Sequence, residues 1–185
     1  MTVRLGIPSK GRLKDQADAF FADAGVRFER SGARGYSARA SGIEGLDVLL
    51  LSAGEIASGL IGGELHLGVT GEDLLREAAA DLDQRVHLAA PLPFGHARLV
   101  VAAPKSWIDV DTMADLDDVG AEIELRSGRP LRVATKYVRQ TRAFFARRGV
   151  THYQVVESAG ATEGAPAAGA AEIVVDITTS GATLE

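Results

Sequence analysis

The chain has 185 residues, of which 46% are hydrophobic, and it carries a formal net charge of −5 at pH 7 with no cysteine. These totals allow one or two domains with a packed core and exclude disulfides, thiol chemistry and cysteine-ligated metal. The acidic balance argues against a general nucleic-acid binder, because contacts with the phosphate backbone need a basic surface.

Targeting and metal signals are weak. The N-terminus has the pattern of a strand rather than of a basic segment followed by an apolar core, and no apolar run approaches the ~18 residues of a membrane span. The four histidines are scattered without the spacing of metal ligands. We therefore expect a cytoplasmic protein with no membrane partner, no nucleic-acid partner and no metal held by its own side chains.

The first half of the chain alternates strands and helices. Strands are predicted at 3–8, 26–30, 46–51 and 65–69. Apolar residues at helical spacing predict helices at 13–25, 54–63 and 72–82. The glycine-rich residues 31–45 are predicted to form a hairpin or a mobile loop.

The second half continues the alternation after a predicted change of domain near residues 91–97. Strands are predicted at 85–92, 97–104, 131–135, 152–158 and 172–177. Helices are predicted at 137–149 and, from small residues, at 162–171, and the acidic residues 109–118 are expected on a surface helix or loop. This order predicts an α/β fold with largely parallel sheets, divided into domains 1–93 and 94–185.

Three strand-to-helix turns carry residues suited to a ligand, which in open α/β sheets collects at the carboxyl ends of strands. In "PSKGR", the cations Lys10 and Arg12 stand at a helix N-terminus, where an anion would offset their repulsion from the helix dipole. In "VTGEDLL", Thr70 can cap the helix and Gly71 admits close backbone approach. In "ATKYV", Lys136 follows a buried strand. Each turn also has a plain interpretation, as a solvated or capped turn or a surface lysine.

The fourth turn is "VVDITTSGATL". It lacks the P-loop lysine, but hydroxyls and backbone N–H groups from residue 179 to residue 183 can bind a phosphate. Asp176, itself anionic, suits a vicinal diol instead, as acidic residues do in dinucleotide-binding folds. A diol and a phosphate on one short segment indicate a ribose 5-phosphate group. Just upstream, Glu163 in "GATEGAP" can cap a helix or reach the same ribose.

Taken together and in this order, "IPSKGR", "LGVTGEDLL", "LRVATKYV", "GATEGAP" and "VVDITTSGATL" resemble the ATP phosphoribosyltransferases that open histidine biosynthesis. The likeness is to the short form, which has no C-terminal regulatory domain. The resemblance implies two periplasmic-binding-protein-like (type II) α/β domains with the active site in the cleft between them.

The resemblance also implies roles for individual residues. Asp176 and Glu163 would bind the ribose of phosphoribosyl pyrophosphate, and Lys10, Arg12 and Arg34 would stabilise the pyrophosphate. The 5-phosphate would be held by Thr179, Ser180, Gly181, Ala182 and Thr183. The ATP side would be formed by Ser9, Gly11, Thr70, Gly71 and Lys136.

The sequence departs from the family pattern at several places. His66 stands where many members have Asp, and Ser52 stands where many have Arg, so an anion contact by that arginine is in doubt here. "TTSG" replaces a commoner acid-or-Ser, Thr, Gly pattern but keeps the hydroxyls. The family continues past "TL" into a helix and further strands, so we expect that a C-terminal segment was removed or left out.

The implied reaction joins ATP and phosphoribosyl pyrophosphate to give N1-phosphoribosyl-ATP and pyrophosphate, with Mg²⁺ held mainly by substrate oxygens. The implied assembly is a homodimer that also joins a regulatory subunit similar to histidyl-tRNA synthetase. Two alternatives remain open from the residues: a phosphoribosyltransferase for another base, and a noncatalytic ligand-binding module on the same fold.

Overall fold

A computed structural model describes residues 2–30, 36–158 and 162–178 of the chain. The molecule divides into two compact units, Met1–Gly95 and His96–Glu185. Each unit has its own sheet and its own hydrophobic core, as expected when a chain of this length separates into two small α/β layers.

The first unit is built on a five-stranded sheet in the order β2-β3-β4-β1-β5. The central strand β1 is parallel to its neighbours β4 and β5, whereas β3 pairs antiparallel with both β2 and β4. The strands are β1 (Val3–Pro8), β2 (Phe28–Arg30), β3 (Ser37–Ala40), β4 (Leu46–Leu51) and β5 (Leu67–Gly68).

Four helices accompany this sheet: α1 (Arg12–Asp23), α2 (Ala53–Ile61), α3 (Glu72–Ala78) and α4 (Leu82–Arg85). Ala17 of α1 is fully buried in the core formed with β1, β3 and β4. On the opposite face, Gly6 of β1 lies so close to Leu65 and Ile56 that an added Cβ would meet a Leu65 side-chain carbon at 2.7 Å. The lack of a side chain at Gly6 thus lets α2 pack tightly on the central strand.

The second unit is a four-stranded sheet in the order β6-β9-β7-β8, in which β7 is parallel to β8 and β9 and only β6 is antiparallel. Helices α5 (Met113–Ser127) and α6 (Val138–Arg148) cover one face, and Phe145 and Leu116 are buried in the core beneath them. The strands are β6 (Arg98–Ala102), β7 (Leu131–Thr135), β8 (Tyr153–Glu157) and β9 (Ile173–Thr178).

Several sequence-based predictions of elements are wrong in detail. Residues 85–92 form no strand; most are exposed, and Pro91 cannot donate to a sheet ladder. Residues 162–171 form only a short 3₁₀ turn, Thr162–Gly164, followed by turns, because Pro166 and glycine disfavour a regular helix. In the described part of residues 31–45, strand β3 pairs antiparallel with β2 and β4, where a hairpin or a mobile loop was predicted.

The remaining differences are smaller. The helix predicted at 72–82 is interrupted at Ala79, which adopts an extended backbone and is buried against α2 and α4. The acidic stretch 109–118 leads into α5, which begins at Met113 and runs further than predicted, to Ser127. The sheets are also more mixed than the strand–helix alternation predicts, because β3 and β6 run antiparallel to their neighbours. No helix of the described residues is long and apolar enough to cross a membrane.

Candidate functional site

Three turns meet at one edge of the first sheet, because β4, β1 and β5 are adjacent and parallel. The Ser9 N–H donates to the Leu51 carbonyl at 2.8 Å, which ties the end of β1 to the end of β4. The Thr70 hydroxyl donates to the Ala53 carbonyl at 2.8 Å, which ties the turn after β5 to the start of α2. The predicted ATP-side residues Ser9, Gly11, Thr70 and Gly71 are therefore neighbours at this edge.

The "PSKGR" turn presents cations at the start of α1. Gly11 is the N-cap residue, with φ at 77°, a backbone conformation that favours glycine. No side chain among the described residues caps this helix start, and Lys10 and Arg12 are exposed beside it. Uncapped N–H groups with two cations are suited to binding a phosphate or pyrophosphate.

Arg30 is a third cation at this turn, and the sequence reasoning missed it. A guanidinium nitrogen of Arg30 donates to the Ser9 carbonyl at 2.9 Å. Arg30 ends β2, so the bond ties the end of that strand to the "PSKGR" turn. Arg34 belongs to residues 31–35, which lie outside the described residues, and its role stays a prediction.

Thr70 does not cap α3, contrary to the sequence-based suggestion, because its hydroxyl donates to Ala53 instead. The N-cap position belongs to Gly71. A Cβ on Gly71 would lie 2.1 Å from Oδ1 of Asp73, so the Asp73 carboxylate approaches the backbone where a side chain would otherwise stand. Thr70 thus positions the turn, and the absence of a side chain on Gly71 leaves room for the Asp73 carboxylate.

The two departures from the family pattern have structural roles. Ser52 caps α2: its hydroxyl accepts from the Glu55 N–H at 3.2 Å, and the Glu55 carboxylate accepts from the Ser52 N–H at 2.7 Å. These bonds lower the pKa of Glu55. His66 accepts at Nδ1 from the Arg4 N–H at 3.0 Å, directly before the start of β5. Both residues satisfy backbone groups here.

In the second unit, Asp176 and Lys136 come together at the carboxyl ends of the adjacent parallel strands β9 and β7. Nζ of Lys136 lies 3.4 Å from Oδ1 of Asp176, and the Ile177 N–H donates to the same oxygen at 2.7 Å. The Asp176 side chain is only 14% exposed, whereas Lys136 is 45% exposed. A partly buried carboxylate held by a lysine and a backbone N–H has a fixed orientation, which suits the predicted contact with ribose hydroxyls.

Lys136 is itself held in place by its surroundings. Its Nζ lies 5.2 Å from the centre of the Tyr137 ring, which is buried. The Tyr137 N–H donates to the buried Thr135 hydroxyl at 2.9 Å, so the turn after β7 is fixed at the sheet edge. The sequence interpretation put Lys136 on the ATP side, and the structure puts it beside the carboxylate predicted to bind ribose.

Glu163 belongs to the 3₁₀ turn Thr162–Gly164, which contacts β9. Thr162 is buried and Glu163 is exposed, so the turn presents the carboxylate to solvent beside the strand that bears Asp176. Residues 179–183, predicted to hold the 5-phosphate, lie outside the described residues.

A different ionic cluster stands at the opposite, N-terminal ends of β7 and β9. Glu172 accepts from the Arg132 side chain at 2.8 Å and from the Arg132 N–H at 2.8 Å, and Arg129 donates to it at 3.0 Å. Burial by itself would raise the pKa of Glu172, but the hydrogen bonds from Arg132 and Arg129 lower it to about 2. The cluster joins two strands and lies away from the candidate site.

The model of the ATP phosphoribosyltransferase family, HisG, matches residues 52–185. This chain belongs to that family. The match covers the turn after β5, Lys136, Glu163 and Asp176, so it includes every predicted site residue of the second unit.

Curated relatives carry the same description. The chain is 69% identical over 179 residues to the ATP phosphoribosyltransferase of Caulobacter vibrioides, which covers 96% of this chain and 56% of the relative. It is 56% identical over 181 residues to the corresponding protein of Afipia carboxidovorans, covering 97% and 56%. The chain thus spans about half the length of the curated relatives it matches.

A solved structure is similar over almost the whole chain. The ATP phosphoribosyl transferase (HisG:HisZ) complex from Thermotoga maritima matches with a TM-score of 0.67 and 26% identity, covering 99% of this chain and 77% of the matched chain. The likeness supports the α/β class assigned from the sequence.

Proposed function

We propose that this chain transfers the phosphoribosyl group of phosphoribosyl pyrophosphate to N1 of ATP and releases pyrophosphate, as a cytoplasmic enzyme of histidine biosynthesis. The observation that carries the proposal is the match of the ATP phosphoribosyltransferase family model to residues 52–185. The proposed fold is the finer one that the resemblance implies: two periplasmic-binding-protein-like (type II) domains, 1–93 and 94–185.

The chemistry needs little proton transfer. Adenine N1 has a free lone pair, so no general base has to remove a proton before it attacks C1 of the ribose. The bond from C1 to the pyrophosphate oxygen breaks as the bond to N1 forms, and negative charge develops on the departing pyrophosphate. The protein therefore has to align the two reactants and stabilise that charge.

The second unit supplies the ribose contacts in this proposal. Both contacts that the structure gives Asp176 use Oδ1, which leaves Oδ2 to accept from a ribose hydroxyl. Lys136 keeps the carboxylate oriented and supplies positive charge next to it. Glu163 supplies a second carboxylate, and the 5-phosphate binds at Thr179, Ser180, Gly181, Ala182 and Thr183.

The first unit supplies the cations. Lys10 and Arg12 at the uncapped start of α1 bind the pyrophosphate and the ATP phosphates, and Arg34 binds the leaving pyrophosphate. Ser9, Gly11, Thr70 and Gly71 shape the ATP side of the site. Arg30, through its bond to the Ser9 carbonyl, ties the end of β2 to this turn.

Mg²⁺ is proposed as a substrate-bound ion that is ligated mainly by pyrophosphate oxygens. Within the described residues no group of three or more acidic or histidine side chains could hold a metal. Bound there, it would neutralise phosphate charge. Asp176 and Glu163 are the described carboxylates of the site that could contact its hydration shell.

The proposed assembly is a homodimer that joins a HisZ-type subunit similar to histidyl-tRNA synthetase. Support comes from the Thermotoga maritima structure, whose title describes a HisG:HisZ complex. The proposed substrates and partners include neither nucleic acid nor membrane.

The test is pyrophosphate release by the purified protein, with and without the HisZ-type subunit. Release should require ATP and phosphoribosyl pyrophosphate together. Guanine and uracil should not replace ATP, and their acceptance would favour a phosphoribosyltransferase for another base. Absence of release with every partner and base would favour the ligand-binding module.

A further inference from the structure

Four charged residues form a row across the sheet of the first unit. Cross-strand register places Glu29 of β2 opposite Arg39 of β3. Asp47 of β4 is opposite Arg39 on one side and opposite Arg4 of β1 on the other. The charges therefore alternate in sign, and at the usual strand spacing the row spans roughly 14 Å. We refer to these four residues as the charged row.

The charged row lies on the face of the sheet that α1 does not cover. The residues next to it along the strands, Leu5, Ala38 and Val48, are buried in the core shared with α1. Successive residues of a strand point to opposite faces, so the charged row is on the other side. On that side α2 packs over Gly6 and Gly68, on β1 and β5, and all four residues of the charged row are exposed.

The residues of the charged row do not neutralise one another within the chain. The side chains of Glu29, Arg39 and Asp47 make no hydrogen bond or ion pair with any residue that the structure describes. A guanidinium nitrogen of Arg4 reaches the Glu64 carbonyl at 3.5 Å. Cross-strand ion pairs would bring opposite charges within about 4 Å of each other. Pairing inside one copy of the sheet therefore does not explain the alternation.

The same face carries recesses and apolar side chains. One recess of about 300 Å³ is lined by Arg4, Arg39, Asp47 and Leu49, among others. A second recess of about 600 Å³ lies between β4 and α2, shares Arg4 and Leu49 with the first, and is also lined by Leu51. Both leucines are half-buried. Apolar contact is important here, because exposed ion pairs alone contribute little to association.

The order of charges in the row is self-complementary. When two copies face each other across a two-fold axis parallel to the strands, the row of the second copy is reversed. Glu29 then faces the second copy's Arg4, and Arg39 faces the second copy's Asp47, so every acid meets a base. A two-fold axis along the row would instead place each residue against its own counterpart, and like charges repel.

We propose that this face binds a second copy of the chain, with the charged row fixing the two-fold arrangement and Leu49 and Leu51 supplying apolar contact. The inference rests on the homodimer of the proposed assembly, to which it assigns a surface. It makes no use of the proposed reaction.

The test is analytical ultracentrifugation of the 185-residue chain over a range of protein concentrations, without substrates. The parent should form dimers. Arg39→Glu and Asp47→Arg, each alone, bring two pairs of like charges together and should raise the dimer dissociation constant about tenfold or more. An equimolar mixture of the two variants should associate as the parent does, because each altered residue then faces the opposite charge. The matched control, Arg142→Glu on exposed α6, should keep the parental dissociation constant.

Four results would overturn the inference: a monomeric parent, a dimer that neither single variant weakens, an equal loss in Arg142→Glu, or no association in the mixture of folded variants. Thermal unfolding shows that each variant is folded. A monomeric parent from which Arg39→Glu abolishes binding of the HisZ-type subunit would assign the face to that subunit instead. Pyrophosphate release is measured separately, so failure of this interface is distinguishable from failure of the proposed reaction.

Discussion

At the level of single residues, the fold holds the Asp176 carboxylate in one orientation. Its side chain is mostly buried, and one of its oxygens is held by Lys136 and by the Ile177 N–H. Burying a carboxylate is costly unless it is hydrogen-bonded. The two contacts offset that cost and fix the orientation of the carboxylate that is proposed to bind ribose.

Asp176→Asn should weaken ribose 5-phosphate binding by about tenfold or more, because a charge-assisted hydrogen bond contributes about 1.5–3 kcal/mol. Titration calorimetry measures the change. Asp118→Asn, an exposed acid on α5, is the matched control and should bind as the parent does. Equal affinity in the parent and Asp176→Asn would show that the carboxylate does not bind the ribose.

Ser52→Ala should lower stability without lowering affinity for ribose 5-phosphate. Loss of the cap on α2 costs about 1 kcal/mol, which thermal unfolding should detect as a lower Tm. The capping box is the physical reason. A variant with parental Tm but weaker ligand binding would show instead that Ser52 acts in the site.

The sequence singled out Asp176 and Lys136 as candidate ligand groups, but it did not predict which residues would contact them. Asp176 and Lys136 were each recognised from a strand followed by a turn. Their contact could not be predicted, because it depends on β9 inserting beside β7 rather than next to β8.

At the scale of elements, Arg30 connects strand β2 with the turn between β1 and α1 through the Ser9 carbonyl. Arg30→Met keeps much of the side-chain length but removes the donor. If the segment carrying Arg34 is positioned by this bond, the substitution should lower kcat for pyrophosphate release by several-fold with a smaller change in KM.

Arg27→Met is the matched control for that experiment, since Arg27 precedes β2 and the bonds given for it involve only its backbone. It should keep the parental kcat. Equal kcat in the parent and Arg30→Met would assign the Arg30 bond to the fold alone.

The cluster of Glu172 with Arg132 and Arg129 predicts a dependence of stability on pH. The folded pKa of Glu172 is lowered to about 2 from an ordinary 4.5. A lowered pKa stabilises the fold fully above about 4.5, and this contribution is lost as the pH falls from about 4.5 towards 2. The side chain is 17% exposed, so we expect about 1–2 kcal/mol after solvent screening.

Urea unfolding of the parent and Glu172→Gln from pH 7 to pH 2.5 measures this contribution. The difference in unfolding free energy should be largest at neutral pH and shrink in acid. Glu124→Gln, an exposed residue of α5, should follow the parent throughout. A difference between parent and Glu172→Gln that does not change with pH would show that the charge of Glu172 is not what stabilises the strand pair.

Elements with strong apolar patterns were predicted well, and those governed by context were not. The buried runs at β4, β7 and β9 and the periodic helices α1 and α6 are close to their predicted bounds. The apolar residues within 85–92 predicted a strand, yet this segment pairs with neither sheet in the structure. Short apolar runs carry no information on whether a partner strand is available.

At the level of the whole molecule, each of the two compact units carries a different set of charged groups. The chain belongs to the ATP phosphoribosyltransferase family. Its first unit presents cations at an uncapped helix start, and its second unit presents a fixed carboxylate beside a lysine. Family resemblance, rather than periodicity, predicted that these sets serve one reaction. The roles of Arg34 and of residues 179–183 in the proposed site remain predictions.

The proposed reaction is tested most directly by identifying its product. The protein, with the HisZ-type subunit present, is incubated with ATP, phosphoribosyl pyrophosphate and Mg²⁺, and the products are examined by mass spectrometry and by NMR of the adenine ring. We expect one new compound with the phosphoribosyl group on N1 of ATP, formed together with an equal amount of pyrophosphate and much more slowly by Asp176→Asn. Attachment at another position, or recovery of both substrates unchanged, would contradict it.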